Sequence, residues 1–167
     1  MFKKLPRSLL AAEYPQVLVE SVHDAIAQQV EQVRYCVAPE QVATLPEPGQ
    51  TVYWARYFEC EVACNGFDYF ILEPLGIYAQ PIHAALRALE AHELVRRLEA
   101  CIPLARGTEC AEFTALADQS WFEQFALDPD FPTLESVNDG GFEAADQLSE
   151  FTAAYIKSNA HVLFEDE

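Results

Sequence analysis

The stretch that decides the fold covers residues 15–37 and reads PQVLVESVHDAIAQQVEQVRYCV. Pro15 is a favourable first helical residue, because the N–H that proline lacks would have no partner in the first turn. Apolar side chains then recur every three or four residues and line one helix face; they are Leu18, Val22, Ile26, Val30, Val33 and Val37. This spacing predicts a helix of roughly six turns, ended by Pro39. We expect Glu20, Asp24 and Glu31 on its solvated face.

Most of the remaining sequence follows the same helical period. A second helix is predicted over residues 51–64, ended by Asn65-Gly66, after a loop at residues 46–49. Its aromatic side chains are expected in the core; they are Tyr53, Trp54, Tyr57 and Phe58. Further helices are predicted at residues 67–73, 82–91, 94–102, 113–117, 121–127 and 141–159. Strand patterns are rarely sustained, so the predicted fold is all-α, a single compact multi-helix domain over residues 1–167.

The start of the sequence and its cysteines indicate the cytoplasm. Lys3, Lys4 and Arg7 precede an apolar run at residues 9–12, which Glu13 ends before it reaches the length of an export signal. No later stretch approaches the roughly 20 apolar residues of a membrane-spanning helix. The five cysteines are an odd number without framework spacing, which is typical of reduced thiols.

The net charge of −17 comes from 27 acidic and 10 basic residues, distributed unevenly. Residues 1–106 carry a net charge of −4, whereas residues 107–167 carry −13, with Lys157 as their one basic side chain. Such a field repels nucleic acid and membranes and attracts basic proteins. The sequence therefore favours binding of a basic protein and argues against direct nucleic-acid binding.

The last predicted helix carries a row of carboxylates at spacings of four, three and four residues: Asp139, Glu143, Asp146 and Glu150. Over these steps a helix rises about 16 Å, the length in which one DNA strand presents about five phosphates. Asp139 and Glu143 also have a simpler explanation, because carboxylates near the start of a helix interact favourably with the helix dipole. The opposite side is expected to face the core, with Ala144, Leu148, Phe151, Thr152 and Tyr155.

We predict that acidic side chains of the C-terminal region form the partner-binding surface. The candidates are Glu109, Glu112, Asp118, Glu123, Asp139, Glu143, Asp146 and Glu150. If they imitate duplex phosphates, binding should weaken as salt rises, because the attraction is between exposed charges.

Catalytic patterns are not evident in the sequence. The four histidines are scattered, and there is no metalloprotease pair, nucleophile elbow or Gly-rich phosphate loop. Cys60 and Cys64, four residues apart, could begin a metal site, but two small core residues are the favoured interpretation. We therefore expect no enzyme activity, cofactor or metal. Two alternatives stay open: an immunity-type inhibitor of a cationic nuclease or toxin, and an enzyme with a Cys-His site.

The segment EVACNGFDYFILEPLG, residues 61–76, resembles the signature of a family of small acidic bacterial proteins that includes a characterised DNA mimic. The matching positions are Glu61, Gly66, Phe67, Tyr69, Phe70 and Gly76. The sequence departs from the family at Cys64-Asn65, where Asn-Gly is usual. Residues 84–105 resemble the family's helix pair, and residues 127–131 and 155–164 resemble its closing part, so the similar region covers about 53–164.

The resemblance implies an all-helical homodimer that occupies the DNA-binding face of a basic transcription factor or similar DNA-binding protein. A shared fold alone does not carry a shared activity. The uneven charge points to the same kind of partner, however. Together they favour a DNA-mimic protein over the two alternatives.

Overall fold

The computed structural model describes residues 2–30, 39–65, 75–101 and 147–166, and every regular element in these ranges is a helix. The predicted all-α fold class is therefore confirmed. After a 3-10 helix at Arg7–Ala11, the helices are α1 (Pro15–Val30), α2 (Pro39–Val42), α3 (Glu47–Asn65), α4 (Leu75–Ala88), α5 (His92–Cys101), α6 (Leu148–Ser158) and α7 (Ala160–Leu163).

Helix α1 begins at the predicted proline and buries the predicted face. Leu18, Val22, Ile26 and Val30 are all buried, while Glu20 and Asp24 are exposed on the other side. The predicted end of this helix, with Glu31, Val33 and Val37, lies outside the described residues.

Helix α3 begins at Glu47, four residues before the predicted start, so the interpretation of residues 46–49 as a loop is wrong. Pro48 and Gly49 lie in the first turn, where backbone N–H groups have no intrahelical acceptor and a proline removes nothing. The N–H groups of Gly49 and Gln50 instead donate to the carbonyl of Pro46 at 2.8 and 3.1 Å. The helix is described as far as Asn65, and Gly66, the second residue of the predicted C-cap, lies outside the described residues.

Helix α3 lies at the centre of the described structure. Helices α1 and α6 pack against it and against each other, α4 packs along α3, and α5 packs on α4. The predicted aromatic core is confirmed, because Tyr53, Trp54 and Phe58 are buried and Tyr57 is half-buried. Their rings extend the packing to both neighbours: Tyr53 lies 5.3 Å from the ring of His23 on α1, and Trp54 lies 5.3 Å from that of Tyr78 on α4.

Helix α4 begins at Leu75 and continues through Pro81, so it is longer than the predicted helix that started at residue 82. It ends in a left-handed cap at Glu90, whose φ is 56°. The N–H of Glu90 donates to Arg87 O and that of Ala91 donates to Leu86 O, both at 3.0 Å. This pair of bonds is the Schellman pattern, and it turns the chain into α5.

The next helix agrees with its predicted period, because Leu94 and Leu98 of α5 are buried. Ile102, also part of that pattern, lies outside the described residues. The predicted helices at residues 67–73, 113–117 and 121–127 lie outside them as well.

The segment before α1 and the segment after α7 lie side by side. The N–H of Leu5 donates to Leu163 O at 2.8 Å, and the N–H of Glu165 donates to Leu5 O at 3.0 Å, which forms an isolated parallel bridge between Leu5 and Phe164. Lys4 adds an exposed ion pair with Asp166 at 3.5 Å. Leu5 and Phe164 are buried, so this bridge belongs to the core.

Candidate protein-binding surface

Helix α6 presents its buried stripe between α1 and α3, and this stripe differs from the predicted one. Leu148 and Thr152 are buried as expected and Tyr155 is half-buried, but Phe151 is 41% exposed, so its assignment to the core is wrong. The full buried stripe is Leu148, Ser149, Thr152, Ala153 and Ile156. Because α6 contacts two helices at once, the centre of its buried side is rotated away from Phe151.

Glu150 is the one predicted partner-binding residue that lies within the described ranges. It is exposed in the first turn of α6, on the side away from the core. Helix α6 begins at Leu148, with Gln147 in a turn before it. The other candidates lie outside the described residues: Glu109, Glu112, Asp118, Glu123, Asp139, Glu143 and Asp146. Of the four-carboxylate row, only Glu150 is described, so the row itself stays a prediction.

A polar network anchors the first turn of α6 next to Glu150. The hydroxyl of Ser149 donates a 2.6 Å hydrogen bond to Glu59 Oε1, while Arg56 Nη1 donates to Glu59 Oε2 at 2.7 Å. Only 14% of the Glu59 side chain is exposed, so this carboxylate needs both partners. The network fixes the N-terminal turn of α6 on α3, and with it the backbone that carries Glu150.

Arg56 stays fully charged in this setting. Burial disfavours its guanidinium, but the hydrogen bond to Glu59 and the charges of Glu59 and Glu20 outweigh burial and raise the pKa of Arg56. The guanidinium therefore neutralises carboxylates from α1 and α3. The Arg56 to Glu59 spacing of three residues was visible in the sequence as a helix ion pair, but its link to Ser149 was not.

The net charge of the described residues is only slightly negative. They contain 13 acidic and 8 basic side chains, a net charge of −5 out of −17. Several acids are also paired within the fold, such as Glu93, which accepts from Arg96 at 2.9 Å and lies 2.8 Å from Arg97. The acidic excess therefore belongs mainly to residues outside the described ranges. Of the acids in residues 107–167, the described ones are Glu150, Glu165 and Asp166.

Two free cysteines lie on α3, and their surroundings do not match the predicted core pair. Cys60 is half-buried, but Cys64 is exposed, because it lies in the last turn beyond the buried stripe. Burial raises the pKa of the Cys60 thiol, an effect that Arg56 only partly opposes and nearby acids reinforce, so at neutral pH this group is a thiol rather than a nucleophilic thiolate. Within the described ranges, no three His, Cys, Asp or Glu side chains cluster as a metal site would require.

None of the helices in the described ranges combines the length and the apolar character that crossing a bilayer would need.

Comparison with known proteins identifies the family. The family model of DMP19-like proteins matches residues 43–159, more than two thirds of the chain. The match includes α3 to α6 but leaves out α1, which packs on two of the matched helices. No curated protein and no solved structure gives a significant match. By the extent of the family match, the chain belongs to the DMP19-like protein family.

Proposed function

We propose that this protein binds a basic DNA-binding protein through its acidic C-terminal region and blocks that partner's DNA-binding face. The observation that carries the proposal is the net charge of −13 within residues 107–167, against −4 in all preceding residues. Such a field accelerates association with a basic surface and repels nucleic acid.

The environment of Glu150 supports this role for the acidic region. Its helix is held by a buried stripe and by the Ser149 to Glu59 bond, so the carboxylate is presented from a fixed backbone. A charge on a rigid element loses less conformational freedom on binding than one on a free segment. Lys157, exposed in the last turn of α6, limits the negative surface at the other end of the helix.

The test is a pull-down from native cytosol at low and high salt, with duplex DNA as competitor. The test variant neutralises Glu143, Asp146 and Glu150 to Gln or Asn. Its matched control neutralises the exposed acids Glu13, Glu40 and Glu90, which gives the same net charge but leaves the acidic C-terminal region intact. We expect the wild type and the control to retain a DNA-binding protein that DNA displaces, and the test variant to lose it.

Other outcomes separate the alternatives. Equal loss in both variants would show that only total charge matters. Retention in both at high salt would contradict the proposal, because contacts between exposed charges are screened. A single stoichiometric nuclease or toxin that duplex DNA fails to displace would favour the immunity-type inhibitor.

A further inference from the structure

A groove of about 100 Å³ runs along the seam between α3 and α4. One wall is a stripe of α3 and the other is a stripe of α4, each with the spacing of one helix face. The lining residues are Glu47, Gln50, Thr51 and Trp54 from α3, and Pro81, Ala84, Ala85 and Ala88 from α4.

The groove exists because α4 presents small side chains opposite α3. Ala84 and Ala88 are exposed, while Ala85 and Trp54 are buried below them. Three methyl groups and a proline ring leave space that longer side chains would fill. The groove wall formed by α4 is therefore apolar over its whole length, and the indole contributes an apolar surface from α3.

The two ends of the groove differ in chemistry. Trp54 lies beside Tyr78, near the start of α4, at 5.3 Å, while Glu47, at the start of α3, lines the same groove as Ala88, at the end of α4. The two helices therefore run antiparallel, and Glu47 and Ala88 share one end. At the other end the Trp54 ring packs against Tyr57 at 5.8 Å. Over the seven residues from Glu47 to Trp54 a helix rises about 10 Å, which is enough for one long side chain.

Glu47 supplies the charge of the groove. Its side chain is exposed, and it makes no ion pair with any residue in the described ranges. Gln50, its neighbour on the rim, is held in place by a 2.8 Å hydrogen bond from its amide to Leu45 O. The result is an apolar slot with an exposed carboxylate at one end, which forms an ion pair with no other described residue.

We propose that this groove receives one arginine or lysine side chain of the basic partner. Lysine and arginine lay their methylene stems along apolar surface while the charged head stays at the wet end, which matches the alanine wall and the Glu47 carboxylate. A purely apolar side chain would leave that carboxylate without a counterpart. The identity of the partner rests on the proposed function, whereas the recognition of the basic side chain does not.

The experiment titrates the full-length, ¹⁵N-labelled protein with Nα-acetyl-arginine amide and, as a matched neutral probe, Nα-acetyl-citrulline amide. Citrulline has the shape of arginine without its charge. We expect arginine to shift the Trp54 indole N–H and the amides of Thr51 and Ala84, and citrulline to bind at least about twofold more weakly, as expected for one exposed charge pair. Equal binding of both probes, or shifts confined to other residues, would overturn the proposal.

Two variants test the residues of the groove. Glu47→Gln should weaken arginine binding about two- to fivefold and leave citrulline binding unchanged. Glu40→Gln, which removes a first-turn carboxylate from α2 outside the groove, is the control and should change neither. If Glu47→Gln has no larger effect than Glu40→Gln, the carboxylate is not part of the site.

The second variant, Ala84→Leu, fills the groove and should abolish the shifts. Ala154→Leu on the exposed side of α6 is its control. Both changes keep a good helix former at an exposed position, so both variants should fold. Binding that survives Ala84→Leu would place the probe elsewhere.

These results are independent of the pull-down. If the probe fails while partner capture still depends on the C-terminal acids, the groove assignment alone is wrong. If the probe binds but no basic partner is captured, the proposed function fails and a groove for basic side chains remains.

Discussion

Ser149 and Glu59, 90 residues apart in the chain, are joined by a 2.6 Å hydrogen bond from the serine hydroxyl to the carboxylate. This bond ties the first turn of α6 to the middle of α3. Glu59 is mostly buried, and Arg56 supplies its other partner. The bond therefore connects the stability of the fold to the position of Glu150.

Removing the hydroxyl should destabilise the protein. Ser149→Ala leaves a mostly buried carboxylate oxygen without its donor, and hydrogen bonds to charged groups are worth about 1.5–3 kcal/mol. The measurement is the free energy of unfolding in urea. Ser158→Ala, at an exposed serine whose hydroxyl donates within its own helix, is the control and should cost less than about 0.5 kcal/mol. Equal losses would mean that the bond to Glu59 adds nothing.

The exposure of Phe151 predicts a small effect of its truncation. Phe58 on α3 is fully buried, whereas 41% of Phe151 is exposed. Phe58→Ala should cost about 3–5 kcal/mol, because it opens a cavity, and Phe151→Ala should cost less than about 1 kcal/mol. Urea unfolding measures both. A loss at Phe151 comparable with that at Phe58 would show that its ring is buried in solution.

Glu90 offers a stabilising substitution. Its φ of 56° lies in the left-handed region, which costs a residue with a Cβ roughly 1–2 kcal/mol and glycine much less. We expect Glu90→Gly to raise the free energy of unfolding by about 0.5–1 kcal/mol. Glu90→Ala keeps the Cβ and should give no comparable gain, so similar changes in both variants would argue against backbone strain.

Glu93 should contribute stability in a defined pH range. Hydrogen bonds from Arg96, together with the charges of Arg96 and Arg97, outweigh partial burial and lower the pKa of Glu93 from 4.5. Since the folded pKa is the lower one, the contribution is present above pH 4.5 and is lost as pH falls through the folded value. Glu93→Gln should cost at most about 1 kcal/mol at pH 7, and little at pH 3. A cost independent of pH would contradict this.

The two described cysteines should react at different rates. Cys64 is exposed, whereas burial raises the pKa of Cys60 and lowers its thiolate fraction. In native protein at pH 7, iodoacetamide should therefore modify Cys64 well before Cys60, and mass spectrometry of peptides can follow both. In urea the difference should shrink. Faster modification of Cys60 would revive the enzyme alternative, because an activated thiol would be required.

The spacing of apolar residues correctly predicted which segments are helices, because apolar side chains repeat along the face that a helix buries. Leu18, Val22 and Ile26 repeat at helical spacing and are buried on α1. The same signal placed the aromatic residues of α3 in the core. Such a pattern belongs to a single helix, so it can be recognised without knowing its neighbours.

The predictions were wrong where contacts with other helices determine the bounds of a helix or the side chains that it buries. Residues 46–49 were interpreted as a loop, but Pro48 lies in the first turn of α3. A helix was predicted to start at residue 82, but α4 begins at Leu75 and accommodates Pro81. Phe151 was assigned to the core from helical spacing alone. The assignment was wrong because the rotation of α6 depends on its two packing partners, α1 and α3. The contact between Ser149 and Glu59, and the groove between α3 and α4, bring distant or separate segments together, and no local spacing encodes them.

The bridge between Leu5 and Phe164 has a consequence for the order of folding. It joins position 5 to position 164, so the loop-closure entropy it must overcome is large. Helices α1 and α3 can pair long before α6 emerges during synthesis. Until then, the apolar surfaces that α6 and α7 later cover stay open to solvent. The nascent chain is therefore most prone to aggregate before α6 and α7 have left the ribosome.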